Sequence, residues 1–203
     1  MLILAHNPKC FGTSLREIFI KQISFSSPWI NYAKRWNKSN FNKNMLLVNT
    51  DFICGHICPK SFASFFPESK LITSIRHPIT RTLSLYNHIH GRSNISKLST
   101  IKTNDDTGIT LEEFIHKEEY QNYSSKYFGG IDLRKFFFVI VCEDFKNSLS
   151  KLSKKLNFGY DLKPTHENKR LYNLNINKKI KNIILENNKE DLLLYNSIIN
   201  KNY

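Results

Sequence analysis

The sequence lacks several features, and each absence removes a class of protein. No apolar run approaches the length needed to span a bilayer, and the N-terminus shows no signal-peptide pattern. No membrane-spanning helix is expected, and a cytoplasmic location is the expectation. Cysteine is scarce, with only Cys10, Cys54, Cys58 and Cys142 and no CxxC pair, so free thiols are expected rather than a disulfide framework. Cys54, His56 and Cys58 would share one face of a strand, as zinc ligands can, but no fourth ligand is evident and Pro59 breaks the strand. Buried thiols are the expectation there, and no metal is called for. Acidic residues are few: 17 Asp and Glu face 30 Lys and Arg, a formal charge of +13. That charge favours anionic ligands, although Lys, Asn and Ile are heavy throughout and a generic composition gives the same excess. No internal repeat is present. A chain of 203 residues with 40% hydrophobic content suits one domain with a sizeable core. The Asn-x-Ser sequons at Asn37, Asn94 and Asn122 are expected to be chance in an Asn-rich chain.

The first sixteen residues, Met1 to Arg16, organise the rest. An apolar run from Met1 to Ala5 ends in a polar turn, His6 to Gly12. Thr13 and Ser14 then open an amphipathic segment with Leu15, Ile18, Phe19 and Ile23. The order predicts buried strand, tight loop, helix. Backbone N–H groups at a helix start suit an anion, Lys9 adds a full charge beside them, and Gly12 lets the backbone approach a ligand closely. Ser14 with Glu17 also fits a capping box, which needs no ligand. The loop is not a Walker A loop, because Lys9 comes before Gly12 rather than directly after a second glycine.

Further along, residues 26–44 carry Trp29, Tyr32, Trp36 and Phe41 without a clear period; an acceptor loop and a packed helix-and-loop stretch fit equally. Residues 46–58 give a second strand region ending at His56, and a short helix, Lys60 to Phe66, stops at Pro67. Lys70 to Ile75 is a third strand, with Arg76 at its C-terminal end, where ligands bind in open α/β sheets. A helix from Pro78 to about His90 follows, then a polar loop, Gly91 to Gly108. Leu111 to Tyr120 is a helix by pattern, with Thr110 as cap and Glu113 four residues before Lys117. Phe136 to Cys142 is the strongest strand signal, apolar throughout. A carboxylate at its end, Glu143 or Asp144, either pairs with a basic residue of the site or caps the helix Phe145 to Leu156, and the structural role is favoured. Leu162 to Asn173 reads as loop and Ile176 to Asn200 as one or two helices. Alternating strands and helices predict a single α/β domain, a mostly parallel central sheet flanked by helices on both faces.

Pro8-Lys9-Cys10-Phe11-Gly12-Thr13-Ser14 resembles the 5′-phosphosulfate loop of sulfotransferases, in the form seen in the carbohydrate sulfotransferases. These enzymes take the donor 3′-phosphoadenosine 5′-phosphosulfate (PAPS). Ile75 to Tyr86 is similar to the family's 3′-phosphate motif, an Arg at a strand end (Arg76) and a Ser eight positions later (Ser84). Lesser similarities at Cys54-Gly55-His56, Asn122 to Gly130, Val141 to Phe145 and His166-Glu167-Asn168 extend the resemblance from Met1 to about Arg170. Phe11 departs from the pattern: a small residue is usual there, and the ring is expected to narrow the donor pocket.

The resemblance implies transfer of a sulfonate group from PAPS to an acceptor hydroxyl, leaving adenosine 3′,5′-bisphosphate (PAP), with no metal. Lys9, Cys10, Phe11, Gly12, Thr13 and Ser14 would hold the 5′-phosphosulfate, Arg76 and Ser84 the 3′-phosphate, and Lys169 and Arg170 would close over the nucleotide. Gly55-His56 is similar to the Gly-His pair of the 2-O-sulfotransferase branch, where the histidine takes the acceptor proton, so His56 is the implied base; His88, His90, His6 and His166 are its rivals. Secretory members carry a membrane anchor ahead of the loop, whereas here the strand begins at Met1. Sugar, lipid, tyrosine and metabolite acceptors all remain open, with a carbohydrate, such as an anionic glycan, favoured by the form of the loop. The alternatives are a nucleotide kinase or NTPase, and a catalytically inactive basic module that holds nucleotide or nucleic acid; specific nucleic-acid binding is not expected.

Overall fold

A computed structural model of the protein describes residues 1–23, 52–56, 59–96, 109–164 and 176–200. The aromatic segment 26–44, Cys58, His166, Lys169 and Arg170 lie outside the described residues. Four strands, β1 (Leu2–Ala5), β2 (Phe52–Gly55), β3 (Lys70–Ile75) and β4 (Phe138–Val141), form one sheet in the order β2-β1-β3-β4, parallel throughout. The helices are α1 (Gly12–Ile23), α2 (Pro59–Phe65), α3 (Pro78–Ser96), α4 (Leu111–Ile115), α5 (Tyr123–Phe128), α6 (Phe145–Lys155), α7 (Lys178–Asn187) and α8 (Lys189–Ile199). Among the described residues no helix is long and apolar enough to cross a membrane.

The strands read as continuous apolar runs because both faces are covered. Ile3, Ala5, Ile53, Leu71, Ile75, Val139 and Val141 turn to one face, where Phe128 of α5 and Ile198 of α8 meet them. Leu2, Leu4, Phe52, Cys54, Ile72, Phe138 and Ile140 turn to the other, under Leu15, Ile18 and Phe19 of α1 and Leu149 and Leu152 of α6. Each such side chain, once buried, stabilises the fold by about 1.5–3 kcal/mol. A third cluster, around Phe114, Ile115 and Ile184, joins α3, α4 and α7.

Some elements differ from the sequence expectation. α3 runs on to Ser96, through Gly91. One helical glycine costs about 1 kcal/mol, and Leu85, Tyr86 and Ile89 already anchor the preceding turns in the third cluster. The segment Leu111 to Tyr120 is not one helix: α4 stops at Ile115 and a 3-10 turn, Glu118–Tyr120, follows. The Ile115 carbonyl is taken by the amides of Gln121 and Asn187 (3.3 and 2.9 Å), so the next turn cannot use it. Thr110 does cap α4, in a capping box with Glu113. The Thr110 bonds hold the Glu113 carboxyl below the ordinary carboxylate range, and Lys117 is a lesser contributor.

The strand order sets where a ligand can enter. From β1 the chain passes to β2 on one side and then to β3 on the other. The sheet therefore has its switch point between the C-terminal ends of β1 and β3, the crevice that open parallel sheets use for ligands.

Candidate active site

Residues 6–11 follow β1 into that crevice, and β3 fastens them from below. The Asn7 side chain is fully buried and its Nδ2 donates to the Ser74 carbonyl and to Ser124 Oγ, both at 3.2 Å. Ser74 Oγ donates to the Cys10 carbonyl (2.5 Å), and Thr73 Oγ1 to the Ala5 carbonyl (2.8 Å). Lys9 and Phe11 adopt left-handed backbone, with φ of 65° and 56°. For side chains other than glycine that conformation costs roughly 1–2 kcal/mol. Left-handed residues next to right-handed ones aim successive N–H groups into one concavity suited to an anion. The first helical bond of α1 runs from Leu15 N to the Phe11 carbonyl (2.9 Å), which places Gly12, Thr13 and Ser14 ahead of it in the first turn. Ser14 is thus buried inside the helix rather than at its cap, and the expected Ser14–Glu17 box does not start α1. Thr13 is exposed.

Gly12 is required by a protein group. A Cβ at Gly12 would lie 1.7 Å from Cδ2 and 1.8 Å from Nε2 of His6, so only hydrogen fits. The His6 ring thus accounts for the glycine at this position.

Arg76, just past β3, reaches the loop. Its Nη1 donates to the Lys9 carbonyl (3.2 Å) and its Nε to Thr80 Oγ1 (3.3 Å). The guanidinium lies 5.3 Å over the Phe11 ring, whose other neighbour is the Phe145 ring at 4.9 Å, edge to face. Thr80 Oγ1 donates in turn to Glu143 Oε1 (2.6 Å), which also accepts from His77 N (3.0 Å). Asp144, the other carboxylate of the pair, occupies the N-cap position of α6 without a side-chain bond to its backbone, while Glu143 holds the start of α3. A carboxylate at a helix N-terminus is favoured by the dipole, and α3 starts beside it because β3 and β4 are neighbours. Ser84 is buried one turn beyond Thr80 on α3; the contacts of Arg76 go to Lys9, Thr80 and Phe11.

His56 stands exposed at the end of β2, with Nδ1 3.0 Å from the His6 carbonyl. A carbonyl only accepts, so Nδ1 carries the proton and donates. The neutral ring then presents an unprotonated Nε2, the form a base needs. The ring stacks on His6 at 4.3 Å and 22°. His77 has the opposite arrangement: its Nδ1 accepts from Ile79 N (3.3 Å), which leaves the proton on Nε2. His88 lies ten residues into α3, roughly 15 Å along the helix from the rim. Cys54 points into the core under α1, where burial pushes its thiol up to about 12. Cys10, Cys54 and Cys142 are free and buried. Among the described residues no three His, Cys, Asp or Glu groups gather as metal ligands.

Burial first, then the charges of His56, Lys9 and Arg16, lowers His6 from 6.5 to about 4. The fold thus holds the ring neutral. The resulting stability is complete above the ordinary value and is lost as pH falls from 6.5 towards 4. A gap of this size corresponds to about 3 kcal/mol. Urea midpoints measured across that window are expected to fall in the wild type and to fall less in His6→Phe.

A polar network that the sequence did not signal lies behind the loop. Ser124, bonded to Asn7, donates its N–H to Asp191 Oδ2 (3.1 Å), and Ser125 N donates to Asp191 Oδ1 (2.8 Å). Asp191 pairs with the fully buried Arg81 at 3.6 Å, and Arg81 Nη2 donates to the Tyr120 carbonyl (2.9 Å). Asn122 joins the same junction, accepting from Glu190 N and Asp191 N (3.1 and 3.3 Å).

No protein-family model matches the chain, and no curated protein sequence matches it either. Among solved structures it is similar to a crystal structure of a sulfotransferase from Alicyclobacillus acidocaldarius. The two share 13% identity with a TM-score of 0.60, over 100% of this chain and 96% of that one. The chain therefore has the fold of that sulfotransferase.

Proposed function

We propose that the protein is a PAPS-dependent sulfotransferase acting on an acceptor hydroxyl, with a carbohydrate, such as an anionic glycan, as the favoured acceptor class. One observation carries the reading: Arg76 donates to the Lys9 carbonyl at the switch point of the sheet. That contact supports reading the two stretches that resemble the donor motifs, far apart in sequence, as parts of one site. The loop N–H groups and Lys9 would hold the 5′-phosphosulfate and balance charge on the leaving phosphate. Arg76 would take the 3′-phosphate with Ser84 as a further donor. His56 Nε2 would accept the acceptor proton as the oxygen attacks sulfur and the S–O bond to the 5′-phosphate breaks. Positioning and electrostatics supply the rate, as in phosphoryl transfer. The acceptor class rests on the form of the loop and on the charge of +13, which suits an anionic partner.

The test is transfer of radiolabelled sulfate from PAPS to desulfated glycans and to a whole-cell extract. Lys9→Ala is expected to lower turnover by about two orders of magnitude with a smaller loss of donor affinity. Unchanged turnover would remove Lys9 from the mechanism. Arg76→Ala should weaken binding of PAP far more than binding of AMP, and Ser84→Ala should do so more mildly. Equal losses for the two nucleotides in calorimetry would show that Arg76 does not read the 3′-phosphate.

A further inference from the structure

We propose that His6 positions the base and the donor loop as one unit, holding His56 with its carbonyl and ring face and Gly12 with its ring edge. The roles of His56 and the loop rest on the sulfotransferase reading; the coupling between them rests on geometry.

Several contacts converge on this residue. Its carbonyl accepts from His56 Nδ1 at 3.0 Å, which sets the His56 tautomer. Its ring stacks on the His56 ring at 4.3 Å. The edge of the same ring excludes a Cβ at Gly12, the first residue of α1. Its own N–H is tied to the Gly55 carbonyl (2.9 Å), so it cannot slide along the sheet rim. A shift of His6 must therefore move the base and the anion-holding turn together. In-line transfer needs the acceptor oxygen between the two, and misplacement by about 1 Å costs of the order of a hundredfold in rate. The groups facing His6 are His56 from the end of β2, Lys9 from the loop and Arg16 from α1. All are cationic or can become so, and a proton on His6 would be repelled by each. Nothing assigns His6 contact with the transferred group, so it is a positioning residue.

Two measurements test this. The first compares variants by calorimetry with PAP and by nitrogen-15 NMR of the imidazoles. His6→Phe keeps a ring of similar shape and should bind PAP within about threefold of wild type, with the His56 Nδ1–H tautomer retained. His6→Ala keeps the carbonyl but loses the ring, and should weaken PAP binding about tenfold or more and shift the resonances of the His56 ring that it no longer stacks on. Wild-type behaviour in His6→Ala, or equal losses in both variants, would overturn the proposal. The second needs no variant. Gly12 resonances are followed from pH 7 to pH 4, and an inflection shared with His6 is expected. A His6 titration that leaves Gly12 unmoved would overturn the coupling. If the wild type binds no PAP, the donor reading fails, while the shared inflection still decides the coupling.

Discussion

Replacing His56 by alanine is expected to leave PAPS binding intact and to lower turnover by about 10²–10⁴-fold. The expectation rests on the tautomer. The His6 carbonyl can only accept, so the proton of the neutral ring sits on Nδ1 and Nε2 is open to take another. The ring is exposed on the same rim as the loop and Arg76, as a group that meets an acceptor must be. Near-normal turnover in the variant, on the acceptor that the radiolabel identifies, would place the base elsewhere. His77 would not replace it easily, because its Nε2 is the protonated nitrogen.

Asp191→Ala is expected to destabilise the fold by about 3–5 kcal/mol, the usual cost of leaving a buried charge without its partner. Arg81 is fully buried and its counter-charge is Asp191. The same carboxylate accepts the N–H groups of Ser124 and Ser125, so α5 loses its cap as well. Domains of this size are stable by about 5–15 kcal/mol in total, and the variant should sit near the edge of folding. Urea unfolding measures it directly: the midpoint should drop with an unchanged slope. Asp191→Asn keeps an acceptor and loses the charge, and it should fall between the two. A loss below about 1 kcal/mol in Asp191→Ala would mean that Arg81 finds another partner.

What the sequence disclosed follows the range of the interactions. β3 was predicted at Lys70 to Ile75 and is found there, because a short strand bounded by turn residues is a local feature of the chain. Arg76 at its end and the loop before α1 were legible for the same reason: a strand end and a helix start are local events. The Thr110 box was legible too, since both partners lie on one turn. What failed to show is long-range. Thr73 and Ser74 look like polar interruptions of an apolar strand, yet each fastens the β1 loop by a hydroxyl. Arg81 is paired by Asp191, which α8 brings beside it from far along the chain. Of the pair Glu143-Asp144, Asp144 stands at the N-cap of the helix that follows, as a local reading allows, whereas Glu143 reaches a helix that precedes it by a long stretch of chain. None of these pairings leaves a periodic or adjacent trace in the chain.

The central claim is a donor site for a 3′-phosphorylated nucleotide, built from the Lys9 loop and Arg76. Calorimetric titration of the wild-type protein with PAP and with AMP tests it most directly. Expected is saturable binding of PAP about tenfold tighter than AMP or more, since a hydrogen bond to a charged phosphate contributes roughly 1.5–3 kcal/mol. Equal affinities for the two nucleotides, or a preference for long polyanions with a steep salt dependence in place of PAP, would contradict it.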